Sequence, residues 1–177
     1  DGTYSDCTII VTDSDGNASN TLAITTFIVD TAEWAQEAYV KASNSENLDE
    51  FGASVALDGD TLAVGAAQED SNQTTITNGT TSSSNNSRAR SGAVYVYKRT
   101  GTTWAQEAYV KASNNDASDL FGSSVALDNN TLAVGAYNEG SSQDTITNGT
   151  TSSDNNSSGG SGAVYVYNWA PSVPLLM

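Results

Sequence analysis

The chain has no histidine among its 177 residues. That removes the side chain most used as general base, proton shuttle and transition-metal ligand near neutral pH, so no Ser-His-Asp or Cys-His site can be built. There is one cysteine, Cys7, which cannot close an internal disulfide. Its neighbours Tyr4, Ile9 and Val11 alternate, so it reads as a small buried hydrophobe in a strand. No histidine or nearby basic residue is present to activate it. Basic residues are scarce as well: 6 Lys+Arg stand against 21 Asp+Glu, a formal net charge of −15. Nucleic acid and anionic membranes both call for a basic surface and are excluded as partners. No apolar run is long enough to span a membrane. The chain starts without Met inside a strand-like pattern, and is expected to be a processed product or a piece of a longer polypeptide. The apolar ending APSVPLLM fits the start of a removed sorting tail.

What is present is β-forming sequence, turn residues and repetition. TYSDCTIIVTD and ASNTLAITTFIVD flank SDGN, so residues 1–30 read as one hairpin with Asp15-Gly16 at its turn. Asp13, Asp15 and Asn17 alternate there like the oxygen donors of a calcium loop. No later bidentate acid stands at the right spacing, so a plain turn is the simpler reading and calcium is a candidate ion only.

FGASVALDGDTLAVGA begins at Phe51, and FGSSVALDNNTLAVGA at Phe121 repeats it with an offset of 70. The same offset relates Trp34 to Trp104 and Gly92 to Gly162, without a gap. About three-quarters of the aligned positions from Trp34 to Tyr97 are identical, and a long period without gaps signals a repeat architecture. Each repeat holds four predicted strands: WAQEAYVKAS, ASVAL, TLAVGA and GAVYVY. Asp58-Gly59-Asp60 and Asp128-Asn129-Asn130 supply tight-hairpin turns. GAVYVY carries valines on one face and tyrosines on the other, so its sheet is expected to be covered on both sides. Gly52 and Gly122 are expected where a positive φ or a close backbone approach is required. Phe51, Phe121, Trp34 and Trp104 are the predicted core aromatics. Trp169 replaces Arg99 and breaks the repeat.

Between the third and fourth strands lies a long loop rich in Ser, Thr and Asn, with ITNGTTSS identical in both copies. Loops of this length are usually functional. Asn78, Thr80, Asn148 and Thr150 are its candidate ligand-contacting residues, and Ile76 and Ile146 its expected anchors. Glu69-Asp70, Glu139 and Asp144, near the start of these loops, read as solvated charge, with a cation shared between repeats as the sharper alternative. Glu37 and Glu107 have no acid partner nearby, so no paired-carboxylate glycosidase site is visible.

Four strands per repeat, covered on both faces, describe a β-propeller blade. The phrases Phe51-Gly52, Ser54-Val55-Ala56, Gly65-Ala66 and Gly92-Ala93-Val94-Tyr95-Val96-Tyr97, with their partners 70 residues on, resemble the FG-GAP repeat. That repeat is the blade unit of the integrin α-subunit propeller and of many bacterial surface proteins. The first 30 residues resemble the closing strands of bacterial immunoglobulin-like domains. The resemblance implies an all-β chain divided into a partial immunoglobulin-like hairpin (1–30), two propeller-like repeats (31–103 and 104–168) and a tail (169–177). It also implies a non-catalytic extracellular or bacterial cell-surface role in structure or adhesion. The family's DxDxDG calcium loop is absent: LDGDTL and LDNNTL are too short to wrap a cation.

Propellers typically need about four to eight blades to close, and two leave raw edges. If WAQEAYVKAS is the outer strand of the preceding blade, the first copy lacks a blade and the last blade lacks an outer strand. Trp34, Ala38 and Val40 of one chain are then expected to pair with Val164 and Val166 of another, giving a homo-oligomer or polymer by strand exchange. The rival expectation is a piece of a longer propeller. Binding of other surface proteins or glycans through the long loops is the alternative function.

Overall fold

The computed structural model describes residues 33–169 throughout, residues 10–18, and the backbone of four short strands nearer the N-terminus. Cys7 and the residues after Trp169 lie outside the described residues. Every regular element described is a strand. The chain divides into two compact units, Asp1–Glu37 and Ala38–Met177.

The first unit is the predicted hairpin. β1 (Gly2–Tyr4) pairs antiparallel with β4 (Phe27–Val29), and β2 (Thr8–Ile9) with β3 (Leu22–Ala23). A bridge between Thr12 and Ala18 continues the ladder to the turn.

The second unit holds two sheets. β5 (Ser54–Asp58), β6 (Thr61–Ala66), β8 (Ala93–Thr100) and β9 (Thr103–Val110) form an antiparallel blade, and β7 (Thr77–Asn78) adds to the far side of β9. β10 (Phe121–Asp128), β11 (Thr131–Ala136) and β12 (Ala163–Asn168) form the second blade. Hairpins β5–β6 and β10–β11 turn in two residues, with Gly59 and Asn129 at φ 54° and 51°. Such left-handed positions match the twist of the flanking strands.

Sequence repeat and blade are out of phase by one strand. The second WAQEAYV is β9, and it completes the first blade by pairing with β8 (Val94↔Val110, Tyr95↔Tyr109). The first WAQEAYV is not a strand: residues 33–42 are irregular, and Trp34 is 104% exposed. This corrects two expectations, a strand at 34–43 and a core role for Trp34. A strand is held by its ladder partner, and β8 is that partner for the second copy alone. Trp104, on β9, is half-buried, with the Arg99 guanidinium 5.3 Å from its ring centre.

β8 is covered on both faces, as its alternation requires. Its tyrosine face packs with Phe51, Val64 and Ala42 in one cluster. Its valine face packs with Phe121, Leu132 and Val134 in another. Phe121 is fully buried between the blades, edge-on to Tyr165 at 5.2 Å between ring centres. Phe51 meets Tyr95 in the same geometry at 5.4 Å but stays half-buried, because no blade lies on its other side.

Gly122 lies where the blades approach closely. Its φ is 87°, and a Cβ there would collide with the Ala93 carbonyl oxygen. Gly52 has φ 95° but nothing within 4 Å of such a Cβ. Gly122→Ala is therefore expected to destabilise by about 3–5 kcal/mol, left-handed strain plus overpacking, and Gly52→Ala by about 1–2 kcal/mol from strain alone. Urea midpoints of the two variants check this, and equal losses would sink the close-approach account.

Candidate functional site

The joint between the blades is built from the segments that cross it. After β9 the chain turns through Lys111 toward the second blade. The Lys111 side chain is fully buried, and its ammonium donates to Glu69 Oε2 and Ser91 Oγ, both at 2.8 Å. Glu69 is also held from its own blade, accepting from Asn44 Nδ2 at 3.2 Å and from the Ser71 amide at 3.1 Å. Burial pushes Lys111 below the usual lysine range, against the pull of Glu69. A buried pair of this kind adds little net stability, and its geometry fixes how the segments meet. Burial, with the Glu69 charge second, raises the Tyr95 and Tyr109 hydroxyls well above the ordinary tyrosine value. Both stay neutral: Tyr95 donates to Asn44 Oδ1 at 2.5 Å, and Tyr109 shares a 2.6 Å bond with Ser71. Glu69 and Glu139 are 1% and 3% exposed, which overturns their reading as solvated loop charge. At Glu69, a cation is shared between repeats, and it is a lysine. Asp144 is exposed, as expected.

Backbone contacts complete the joint. The amides of Ser118, Leu120 and Phe121 donate to the carbonyls of Ala89, Arg90 and Ser91, at 2.9–3.1 Å. Ser54 Oγ donates to the Gly122 carbonyl at 2.6 Å. The second blade repeats the accepting side of this joint and leaves it open. Ser124, Gly135, Tyr137, Ser161, Gly162 and Val164 line a depression of about 420 Å³ at the position that Phe121-Gly122 fills on the first blade. Val164 and Val166 are 70% and 69% exposed, whereas Val94 is fully buried. Tyr137 is exposed where the first blade has the buried Ala67.

The donating side is also repeated and open, on the first blade. Val55 and Leu57 of β5 are 62% and 63% exposed, while their counterparts Val125 and Leu127 pack into the joint. The loop leading to Phe51 already has the conformation its counterpart adopts in the joint. Leu48, Glu50 and Gly52 have φ 71°, 56° and 95°, against 70°, 59° and 87° at Ser118, Leu120 and Gly122. Asp49 Oδ2 and Asp119 Oδ2 each accept an amide of their own loop at 2.9 Å, and burial raises both carboxyls above the usual value.

Of the predicted assembly residues, Trp34 and Ala38 are exposed and Val40 is half-buried beside Tyr97 and Trp104. Val55 and Leu57 escaped sequence reading. Alternation put them on one face of a strand but did not say that a neighbouring blade would cover that face.

Asn78, Thr80, Asn148 and Thr150 are exposed. The loop is tied down by polar groups and not by its isoleucines, which corrects their assignment as anchors: Ile76 is 45% exposed and Ile146 is 90% exposed. Gln73 Nε2 donates to Thr75 O and Thr77 Oγ1, and Gln143 makes the same pair of bonds to Thr145 and Thr147. Thr77–Asn78 pairs with β9. Thr147–Asn148 joins no strand ladder among the described residues.

At the hairpin turn, Asp13 Oδ1 accepts the amides of Asp15 and Asn17 at 3.0 and 2.9 Å, and Oδ2 accepts from Asn17 Nδ2 at 3.3 Å. The hydrogen bonds from Asn17 hold its carboxyl below the usual range. These are the bonds of a capped turn. Among the described residues no group of three or more Asp, Glu, Cys or His side chains is placed to hold a metal. No helix among them is long and apolar enough to cross a membrane.

Neither a curated protein nor a solved structure matches the chain. The profile described as the FG-GAP repeat matches it twice, over residues 34–97 and 104–167, well over half its length. FG-GAP repeats form a non-enzymatic propeller-type fold of extracellular adhesion and protein interaction. With both matches falling on the two propeller-type blades, the chain belongs to the FG-GAP repeat family.

Proposed function

We propose that this chain is a non-catalytic, extracellular, bacterial surface building block that self-assembles head to tail. The observation that carries the proposal is the pair of complementary open surfaces. The second blade exposes the accepting face (Val164, Val166), and the first blade exposes the donating face (Val55, Leu57). Within the chain, the equivalent two faces already pack together. A heterologous contact of this kind closes into a ring or continues as a filament, according to the rotation per step.

Strand donation completes the contact. Among the described residues β12 has no outer strand, and residues 34–40 have the sequence of one but are irregular. Added to β12 of another copy, they would extend the second blade as β9 extends the first, while the first blade of the donating copy covers Val164 and Val166. With the chain at −15, repulsion between copies opposes assembly, so moderate salt should favour it.

Sedimentation velocity and negative-stain imaging test this. Wild type should form rings or filaments that grow with concentration. Deletion of Trp34–Val40, or Val164→Asp with Val166→Asp, should leave monomers. Assembly unchanged by both variants would overturn the proposal.

A further inference from the structure

We infer that the buried Glu139 carboxylate is a socket for a lysine, and that Lys41 of a second copy fills it. This rests on the head-to-tail reading and names the polar lock within that contact.

Glu139 reproduces the contacts that Glu69 takes from Asn44 and from its own loop. It accepts from Asn114 Nδ2 at 3.0 Å and from the Ser141 amide at 3.1 Å, as Glu69 does from Asn44 and Ser71. Ser161 Oγ donates to the Glu139 and Ser141 carbonyls, as Ser91 Oγ does to those of Glu69 and Ser71. What Glu139 lacks is the ammonium that Lys111 brings to Glu69 and Ser91. At 3% exposure it is a buried carboxylate with two neutral donors and no cation among the described residues. Burying a charge in this way is costly unless a cation joins it.

Lys41 is the residue 70 positions before Lys111, and its side chain is exposed. Its backbone is already in place: Tyr97 Oη donates to the Lys41 carbonyl at 2.9 Å, as Tyr167 Oη does to that of Lys111 at 3.4 Å. The next residue, Ala42, is buried in its own blade. Lys41 therefore stands at the donating face anchored by its main chain, with its ammonium free for a preceding blade. A second copy docked as the two blades dock within the chain puts that ammonium on Glu139 and Ser161. Since a misplaced lysine leaves both charges unpaired, the pair fixes the register of the contact.

The test uses Lys41→Met and Glu139→Gln in the full chain. Each variant alone should assemble at least roughly a hundredfold more weakly than wild type, the usual penalty for truncating one partner of a buried charge pair. Mixed in equal amounts, they should assemble again as alternating copies. The Glu139→Gln copy supplies Lys41 to the intact Glu139 of the Lys41→Met copy, and at the next contact the Lys41→Met side chain meets the Glu139→Gln amide, which strands no charge. In dilute solution Glu139→Gln should unfold at no lower urea than wild type, because it removes an uncompensated buried charge, which shows that its lost assembly is not misfolding. Variants that assemble like wild type would overturn the lysine lock and leave head-to-tail assembly standing. So would a mixture that fails to assemble from variants that each fail alone. A wild type that stays monomeric at every concentration overturns both.

Discussion

Lys111→Met is expected to lower unfolding stability by about 3–5 kcal/mol, the loss found when one partner of a buried ion pair is removed. The variant keeps the long side chain but strands the Glu69 carboxylate, 1% exposed, with neutral donors such as the Ser71 amide and Asn44 to hold it. Adding Glu69→Gln should recover most of the loss, since a neutral amide oxygen still accepts those two bonds. Glu69→Gln alone strands the Lys111 ammonium, so in the double-mutant cycle the double variant should lose far less than the two single losses added. Urea unfolding followed by far-UV circular dichroism measures all four corners. Losses that simply add would mean that the pair is not the joint described above.

Phe121→Ala is expected to cost about 3–5 kcal/mol, as for a fully buried aromatic in a packed core. Phe121 belongs to the cluster that joins the blades, with Val94 and Val110 from one and Leu132 and Val134 from the other. The aligned Phe51→Ala should cost about half as much in the monomer, because Phe51 is half-buried and backed by its own tyrosines alone. The two substitutions remove the same atoms from the same repeat position, so their difference measures the neighbouring blade. In assembled protein the Phe51→Ala penalty should rise toward that of Phe121→Ala. Equal penalties in the monomer would mean that the second blade does not cover Phe121 as described.

Much of this architecture was legible in the residues. The 70-residue offset located both repeats, and turn residues located the hairpins, because local backbone chemistry needs no distant partner. The positive φ of Gly52 and Gly122 was legible for the same reason, but the close approach at Gly122 was not, because the same words at Gly52 leave room for a Cβ. Phe121 read correctly as a core anchor. Trp34 did not, although it has the same local sequence as Trp104. One lies on a strand backed by β8, while the other is 104% exposed. Local sequence cannot distinguish them, because burial is decided by which neighbour is present.

Glu69 and Glu139 show the same limit from the other side. In a loop full of Ser, Thr and Asn, an acid reads as solvated, and no pattern within the loop announces the lysine that arrives 42 residues later from the following repeat. The sequence by itself determined the repeat, the strands, the acidic charge and the absence of histidine chemistry. These are properties of composition and short-range pattern. The tertiary structure alone decided which copy of an identical segment is a strand, which valines are covered, and which buried carboxylate has its cation. Each of those depends on a partner supplied from elsewhere in the fold: a hydrogen-bond ladder, an apolar face or a charge.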